Sequence, residues 1–186
     1  MLKKVISLDK HLFLFLNNLG SNNFDGFWLF VTKQSNWTPF FLVLLFLVFK
    51  KIGWKKTLLV VIFIAIILTL TDQGCNFVKH YFQRLRPCNN TDFSGIMRVV
   101  KPSLTFSFFS GHAANSSAVA VFLFLIMRNQ YRFFGLIIIW PLVFAYSRIY
   151  LGLHYPVDIL TGYLFGSSIG TLACFLFKKA SFRLKL

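Results

Sequence analysis

Long apolar runs constrain the fold of this chain more than any other feature of its sequence. Residues 57–78 contain one charged side chain, Asp72, and as a helix this run would be about 33 Å long, enough to cross a bilayer. Hydrophobic residues make up 56% of the 186 positions and charged residues only 13%, too few for the surface of a soluble domain of this size. We therefore predict an all-α, polytopic transmembrane helix bundle. Its five spans are residues 36–49, 57–78, 109–127, 133–150 and 157–177.

The first 35 residues are apolar only in short pieces. Asn17-Asn18 and the run from Gly20 to Asn23 interrupt them, so short helices lying at the membrane interface are expected here. A sixth, broken span in this segment stays open. The chain has no repeat and no flexible linker, which predicts a single membrane-embedded domain over residues 1–186.

The charge of the chain is strongly positive, with 20 Lys and Arg against 5 acidic residues. Most basic residues lie at the ends of apolar runs, which favours anchoring in an anionic membrane and argues against a nucleic-acid partner. Three connectors carry basic residues and no acid, and by the positive-inside rule their side is cytoplasmic. These connectors are residues 50–56, 128–132 and 178–185.

Small and special residues predict details of the bundle. Gly162, Gly166 and Gly170 recur every four residues and indicate a flat stripe for close helix packing. Pro141 predicts a kink in the fourth span. The three cysteines are widely spaced, which argues against a disulfide framework or a zinc site.

The segment Ser147-Arg148, His154, Asp158 places several reactive side chains within twelve residues. If His154 and Asp158 shared one face of a helix, the carboxylate could hold the imidazole in one tautomer. The planar fork of donors on Arg148 suits a phosphate group.

Two further motifs lie at the ends of the second and third runs. Lys79 and Arg86 are seven residues apart, so on a helix they would project the same way. Ser110-Gly111-His112 precedes the third run, where backbone N–H groups at a helix N-terminus favour an anion. In the predicted topology all three motifs meet on the side opposite the basic connectors.

These motifs resemble those of the type 2 phosphatidic acid phosphatase (PAP2) superfamily of membrane lipid phosphatases. The pattern appears as Lys79 to Arg86-Pro87, as Ser110-Gly111-His112, and as Ser147-Arg148 to His154 to Asp158, with Phe109 in place of the usual Pro. The motifs cover residues 79–158. The resemblance implies a phosphatase that works through a phosphohistidine intermediate.

Charge reasoning leads to the same chemistry. Cationic side chains can neutralise a phosphoryl transition state, with Ser110 and the amides of Gly111 and His112 as added donors. His154 is the expected nucleophile because Asp158 can orient it, and His112 is the expected general acid. The cations are Lys79, Arg86 and Arg148.

Several alternatives accompany this prediction. A divalent metal held by two His and an Asp is the rival chemistry, but three cations on the same rim would repel it, so no metal and no cofactor are expected. A non-catalytic lipid-phosphate binder or transporter is the rival from another class. Asp72 is expected to make a structural hydrogen bond, since an acid at this depth is costly without a partner.

The expected substrate is a lipid phosphate or diphosphate. Undecaprenyl diphosphate is the first expectation, and lipid A phosphate and phosphatidylglycerophosphate are the alternatives. The expected location is a bacterial inner membrane with the site facing the periplasm or outside; oligomeric state is not predicted.

Overall fold

The structure, a computed structural model, describes residues 2–185 and contains helices but no strands within them. The predicted all-α fold is confirmed. The predicted single domain stays a prediction, and its end residues, Met1 and Leu186, lie outside the described residues. The helices are α1 (Leu2–Asn18), α2 (Asp25–Thr32), α3 (Thr38–Phe82), α4 (Gly111–Met127), α5 (Ile139–Tyr150) and α6 (Pro156–Arg183).

Helix α3 combines the first two predicted spans. Its helical geometry breaks at Gly53, which has φ 75° and ψ 171°, a conformation that a residue with a Cβ rarely adopts. The break divides α3 into a first limb, residues 38–52, and a second limb, residues 54–82. By length and composition, the segment Gln34–Phe93, which contains α3, and α6 could each cross a membrane, whereas Gly111–Met127 and Phe134–Tyr150 are shorter apolar helices. The number of spans stays a prediction.

The three basic connectors lie at one end of the bundle. Lys51 Nζ is 5.1 Å from the ring centroid of Tyr131, and the Tyr131 hydroxyl donates to the carbonyl of Leu47 at 3.1 Å. Lys56 and Lys178 line one shallow depression together with residues of α4 and α6. The residues of the three motifs lie at the other end, which we call the site end.

Helix α6 packs directly on α4 through its glycine stripe. A Cβ on Gly162, Gly166 or Gly170 would overlap backbone oxygens of α4 and of its N-cap: those of Ser110, Ala114 and Ala118, respectively. The predicted packing role of the stripe is confirmed. This close approach fixes the start of α4 beside the start of α6.

The predicted kink at Pro141 is wrong. Residues Phe134–Ile138 form a 3-10 helix, and α5 begins only at Ile139. Pro141 therefore lies in the first turn of α5, where its missing N–H breaks no helical hydrogen bond.

The N-terminal helices pack against the site end. Asn17 is fully buried, and its side-chain amide donates to the carbonyls of Arg98, Ile149 and Tyr150 while its oxygen accepts from the Arg98 N–H. Phe13, also fully buried, stacks on Phe93 at 5.5 Å. Helix α1 is thus held to the end of α5 by buried polar contacts and to the loop between α3 and α4 by an aromatic contact. Its predicted interfacial position stays a prediction.

Candidate active site

A tight turn between α5 and α6 positions His154. Gly152 has φ 81°, which lets the chain reverse directly after α5. The N–H groups of Leu153 and His154 then both donate to the carbonyl of Arg148, at 2.9 and 3.3 Å. His154, which is 1% exposed, and Arg148 are therefore fixed relative to each other by backbone hydrogen bonds.

The expected helical spacing of His154 and Asp158 is wrong, although the two side chains still approach each other. His154 precedes α6, whose N-cap is Tyr155, and Asp158 accepts the Tyr155 N–H at 2.9 Å as a capping carboxylate. The separation between His154 Nδ1 and Asp158 Oδ2 is 3.5 Å. That distance allows electrostatic attraction but exceeds a well-formed hydrogen bond, and Nδ1 has no hydrogen-bond partner among residues 2–185.

Arg86 contacts the other ring nitrogen of His154. Its Nη1 lies 3.3 Å from His154 Nε2. Because a guanidinium can only donate, this contact assigns Nε2 as the acceptor and places the ring proton on Nδ1, toward Asp158. Arg86 is also held by Thr105, whose carbonyl and hydroxyl accept its Nε–H and Nη2–H at 2.9 and 2.8 Å.

The helical spacing expected for Lys79 and Arg86 is also wrong. Helix α3 ends at Phe82 because Gln83 adopts a left-handed conformation, and Arg86 follows in extended geometry. Arg86 therefore reaches His154 from the loop rather than from α3. Lys79 lies on α3, and its side chain extends to the start of α4. Its Nζ would be 3.9 Å from a Cβ placed on Gly111.

Arg148 lies inside the site with part of its guanidinium free. It is 7% exposed, and its Nη1 donates to Thr32 Oγ1 at 2.6 Å. Its Nε has no hydrogen-bond partner within the described chain. A buried donor of this kind favours an anionic ligand, because an unpaired buried polar group is costly.

The start of α4 supplies the remaining predicted residues. Ser110 is its N-cap, with its hydroxyl oxygen accepting the Ala113 N–H at 3.4 Å, and its own N–H donates to the carbonyl of Asp158 at 3.0 Å. His112 follows one residue after Gly111, and its ring stacks on Phe144 with centroids 5.0 Å apart. These contacts orient the helix N-terminus toward the His154 turn.

Electrostatics connects these groups into one cluster. Burial, followed by the positive charges of Arg86, Arg148 and Lys79, holds the pKa of His154 well below its usual range. His112 lies within electrostatic range of the same three cations and of His154. His154 is therefore neutral at pH 7, with an unprotonated Nε2 that faces the cations.

The structure thus brings together all eight residues predicted for the site. It leaves out Ser147, whose hydroxyl donates to the Phe144 carbonyl of its own helix at 2.6 Å. The eight are Lys79, Arg86, Ser110, Gly111, His112, Arg148, His154 and Asp158.

Comparison with known proteins shows the family of this chain. The model of the PAP2 superfamily matches residues 54–182, which is more than half of the chain and includes every motif. The chain belongs to the PAP2 superfamily. A lipid A 4'-phosphatase of Bacteroides thetaiotaomicron is 34% identical over all of this chain and 84% of its own length. The lipid A 4'-phosphatase of Porphyromonas gingivalis is 30% identical over 89% of this chain and 71% of its own.

Two further proteins extend the comparison. An undecaprenyl-diphosphatase of Sulfolobus acidocaldarius is 33% identical over 90% of this chain and 78% of its own length. The crystal structure of a transmembrane PAP2-type phosphatidylglycerolphosphate phosphatase from Bacillus subtilis matches 97% of this chain and 87% of its own with a TM-score of 0.68. At 20% identity that likeness shows a shared fold.

Two residues that are not defining positions of the three PAP2 motifs also contact the site, and sequence reasoning missed both. Arg84 Nη1 donates to Asp158 Oδ1 and its Nη2 donates to Asp9 Oδ2, each at 2.7 Å. Asp9 in turn accepts the Val157 N–H at 2.9 Å. The signal for Asp9 was its rarity, since it is one of 5 acids in the chain and lies in an otherwise apolar, basic segment.

Proposed function

We propose that this chain is a metal-independent lipid phosphatase that removes phosphate through a phosphohistidine at His154. The observation that carries the proposal is the position of His154 Nε2, which lies 3.3 Å from Arg86 Nη1 and faces the cationic cluster. Its PAP2 membership and its relatives, which are named phosphatases of lipid substrates, make the chain a lipid phosphatase.

The first step forms a bond between Nε2 and phosphorus. As the imidazole attacks, Arg86 transfers its donation from Nε2 to a phosphate oxygen, and Arg148 Nε and Lys79 Nζ neutralise the other oxygens. The bond from phosphorus to the lipid oxygen breaks, and that oxygen takes a proton from His112. Asp158 stabilises the positive charge that develops on His154.

Water completes the reaction. His112, now neutral, accepts a proton from a water molecule that attacks the phosphohistidine. The bond between nitrogen and phosphorus breaks, inorganic phosphate leaves, and His154 and His112 return to their starting protonation states. The positive charge in this route comes from Lys79, Arg86 and Arg148 of the protein itself.

The favoured substrate is the 4'-phosphate of a lipid A-like glycolipid. Two curated relatives carry that name, and one of them is similar over the whole chain. A polyprenyl diphosphate is the second candidate because of the named activity of the Sulfolobus relative.

A substrate panel tests the proposal. Purified protein in detergent should release phosphate from the glycolipid in EDTA, and vanadate should inhibit it. His154→Ala should lose more than about 1,000-fold in rate. His80→Ala changes an exposed histidine near the same rim and should keep its rate. A strict magnesium requirement or normal turnover by His154→Ala would contradict the proposal.

The site is further proposed to face the periplasm or outside of a bacterial inner membrane, since the basic connectors lie at the other end of the bundle. In a Cys88→Ser background, a cysteine replacing the exposed Ser94 should react with an impermeant maleimide in intact spheroplasts. Labelling only after lysis would reverse this orientation.

A further inference from the structure

A polar pair interrupts the apolar surface just below the active site. On the second limb of α3, Val61, Ile64 and Leu68 line an apolar cavity of about 300 Å³. Asp72 continues the same stripe one turn further toward Lys79, because residues three or four apart share a helix face. Asp72 is exposed and lies seven residues before Lys79, a distance of about 10.5 Å along the helix.

Asn115 on α4 completes the pair. Its Nδ2 donates to Asp72 Oδ1 at 2.8 Å, which leaves its Oδ1 as an acceptor. Asn115 is only 8% exposed, and its Oδ1 has no hydrogen-bond partner in the part of the chain that the structure describes. Asn115 also lines the apolar cavity, at the end nearest His112, which we call its upper end. Two acceptors, a carboxylate and an amide oxygen, therefore stand between the phosphate site and the cavity.

The apolar lining of the cavity suits a hydrocarbon chain. It lies between the two limbs of α3 and the facing sides of α4 and α5. From Asn115 to Leu123 its lining on α4 extends over eight residues, or about 12 Å. Its upper end is one turn below His112, so a lipid whose phosphate occupied the site could place a chain here.

We propose that Asp72 and Asn115 form a subsite for hydroxyl or amide N–H groups of the substrate, located between its phosphate and the acyl chain in the cavity. The inference rests on the proposed lipid phosphatase function and narrows its substrate class. Acylated sugars and amino sugars carry such donors beside a phosphate. A polyprenyl phosphate carries none between phosphorus and hydrocarbon, so it would leave both acceptors unpaired.

Paired substrates test the subsite. The kcat/KM of wild type, Asp72→Asn and Asn115→Ser is measured with an acylated glucosamine 4'-phosphate and with a polyprenyl phosphate in the same detergent. Each variant should lose about 10- to 100-fold on the glucosamine lipid, mostly through KM, and stay within about twofold of wild type on the polyprenyl phosphate. Gln73→Ala, at the exposed neighbouring position of α3, is the control and should change neither value.

The outcomes separate the subsite from the phosphatase activity. Equal losses on both lipids in both variants, with a lower unfolding temperature, would show that the pair only stabilises the packing of α3 on α4. That result would overturn the subsite but not the proposed phosphatase activity. Wild-type protein that releases phosphate from neither lipid would overturn the proposed function and the subsite with it. If one variant does not fold, the other carries the test, because each removes one acceptor independently.

Discussion

Arg84 lies between two carboxylates and joins the N-terminal helix to the catalytic turn. It is 2.7 Å from Asp158 Oδ1 and 2.7 Å from Asp9 Oδ2. The side chains of Asp9 and Asp158 are 2% and 0% exposed. The carboxylate that faces His154 is therefore held partly by a helix far away in the sequence.

Removing Arg84 should destabilise the protein strongly. Arg84→Met would leave two buried carboxylates without their cation, at a cost of about 3–5 kcal/mol in unfolding free energy.

Asp9→Asn keeps the shape of the side chain and should lower kcat several-fold with little change in KM, because Asp158 would be less firmly positioned. Thermal unfolding in detergent and steady-state kinetics measure the two effects.

Lys10→Met provides the matched control for Asp9. Lys10 pairs with Asp92 at 2.6 Å, but both side chains are substantially exposed, so the pair contributes little to stability. If Asp9→Asn proved as silent as Lys10→Met, the link between α1 and the site would have no catalytic role.

The activity should persist to mildly acidic pH. Burial and the neighbouring cations lower the pKa of His154. His154 therefore stays neutral at pH values below the usual histidine pKa of about 6.5. The acidic limb of kcat/KM, which reports the free enzyme, should accordingly lie below about 6.5.

Lys79→Gln tests the electrostatic part of that shift. Loss of one positive charge removes repulsion of the protonated imidazole, so the pKa of His154 rises and the acidic limb moves to higher pH. Lys101→Gln removes a charge from an exposed loop position and should leave the limb in place. An unchanged limb in Lys79→Gln would mean that its charge does not act on His154.

The contact between α4 and α6 should tolerate no side chain at Gly166. A methyl group there would overlap the carbonyl oxygen of Ala114, so Gly166→Ala should lower the unfolding free energy by about 1–3 kcal/mol. Gly26→Ala is the control, since a Cβ at Gly26 meets nothing within 4 Å. Equal unfolding temperatures for the two variants would show that the helices can separate without cost.

The sequence predicts the parts of this protein whose signal is local. Apolar run length located α3, α4, α5 and α6, and glycine periodicity identified the face of α6 that meets α4. The three motifs identified the residues of the cluster because their spacing is distinctive. The helical spacings assumed within two motifs were wrong, since Gln83 ends α3 early and Tyr155 begins α6 late.

Other features depend on contacts between distant segments. Asn17 looks like a helix breaker in the sequence, but its side chain satisfies backbone groups of residues 98, 149 and 150, which carry no sequence signal of their own. Arg84 lies two residues from Arg86 and resembles another basic residue of the loop. Only the packing of α1 distinguishes it, by bringing Asp9 beside Asp158.

Trapping the phosphoenzyme tests directly whether His154 is the nucleophile. A lipid labelled in its phosphate is mixed with excess protein and quenched in alkali, which preserves phosphohistidine, and the labelled peptide is mapped. The proposed mechanism predicts an acid-labile label on His154 in the wild-type protein and none in His154→Ala. A label on another residue, or phosphate release at the normal rate by His154→Ala, would contradict it.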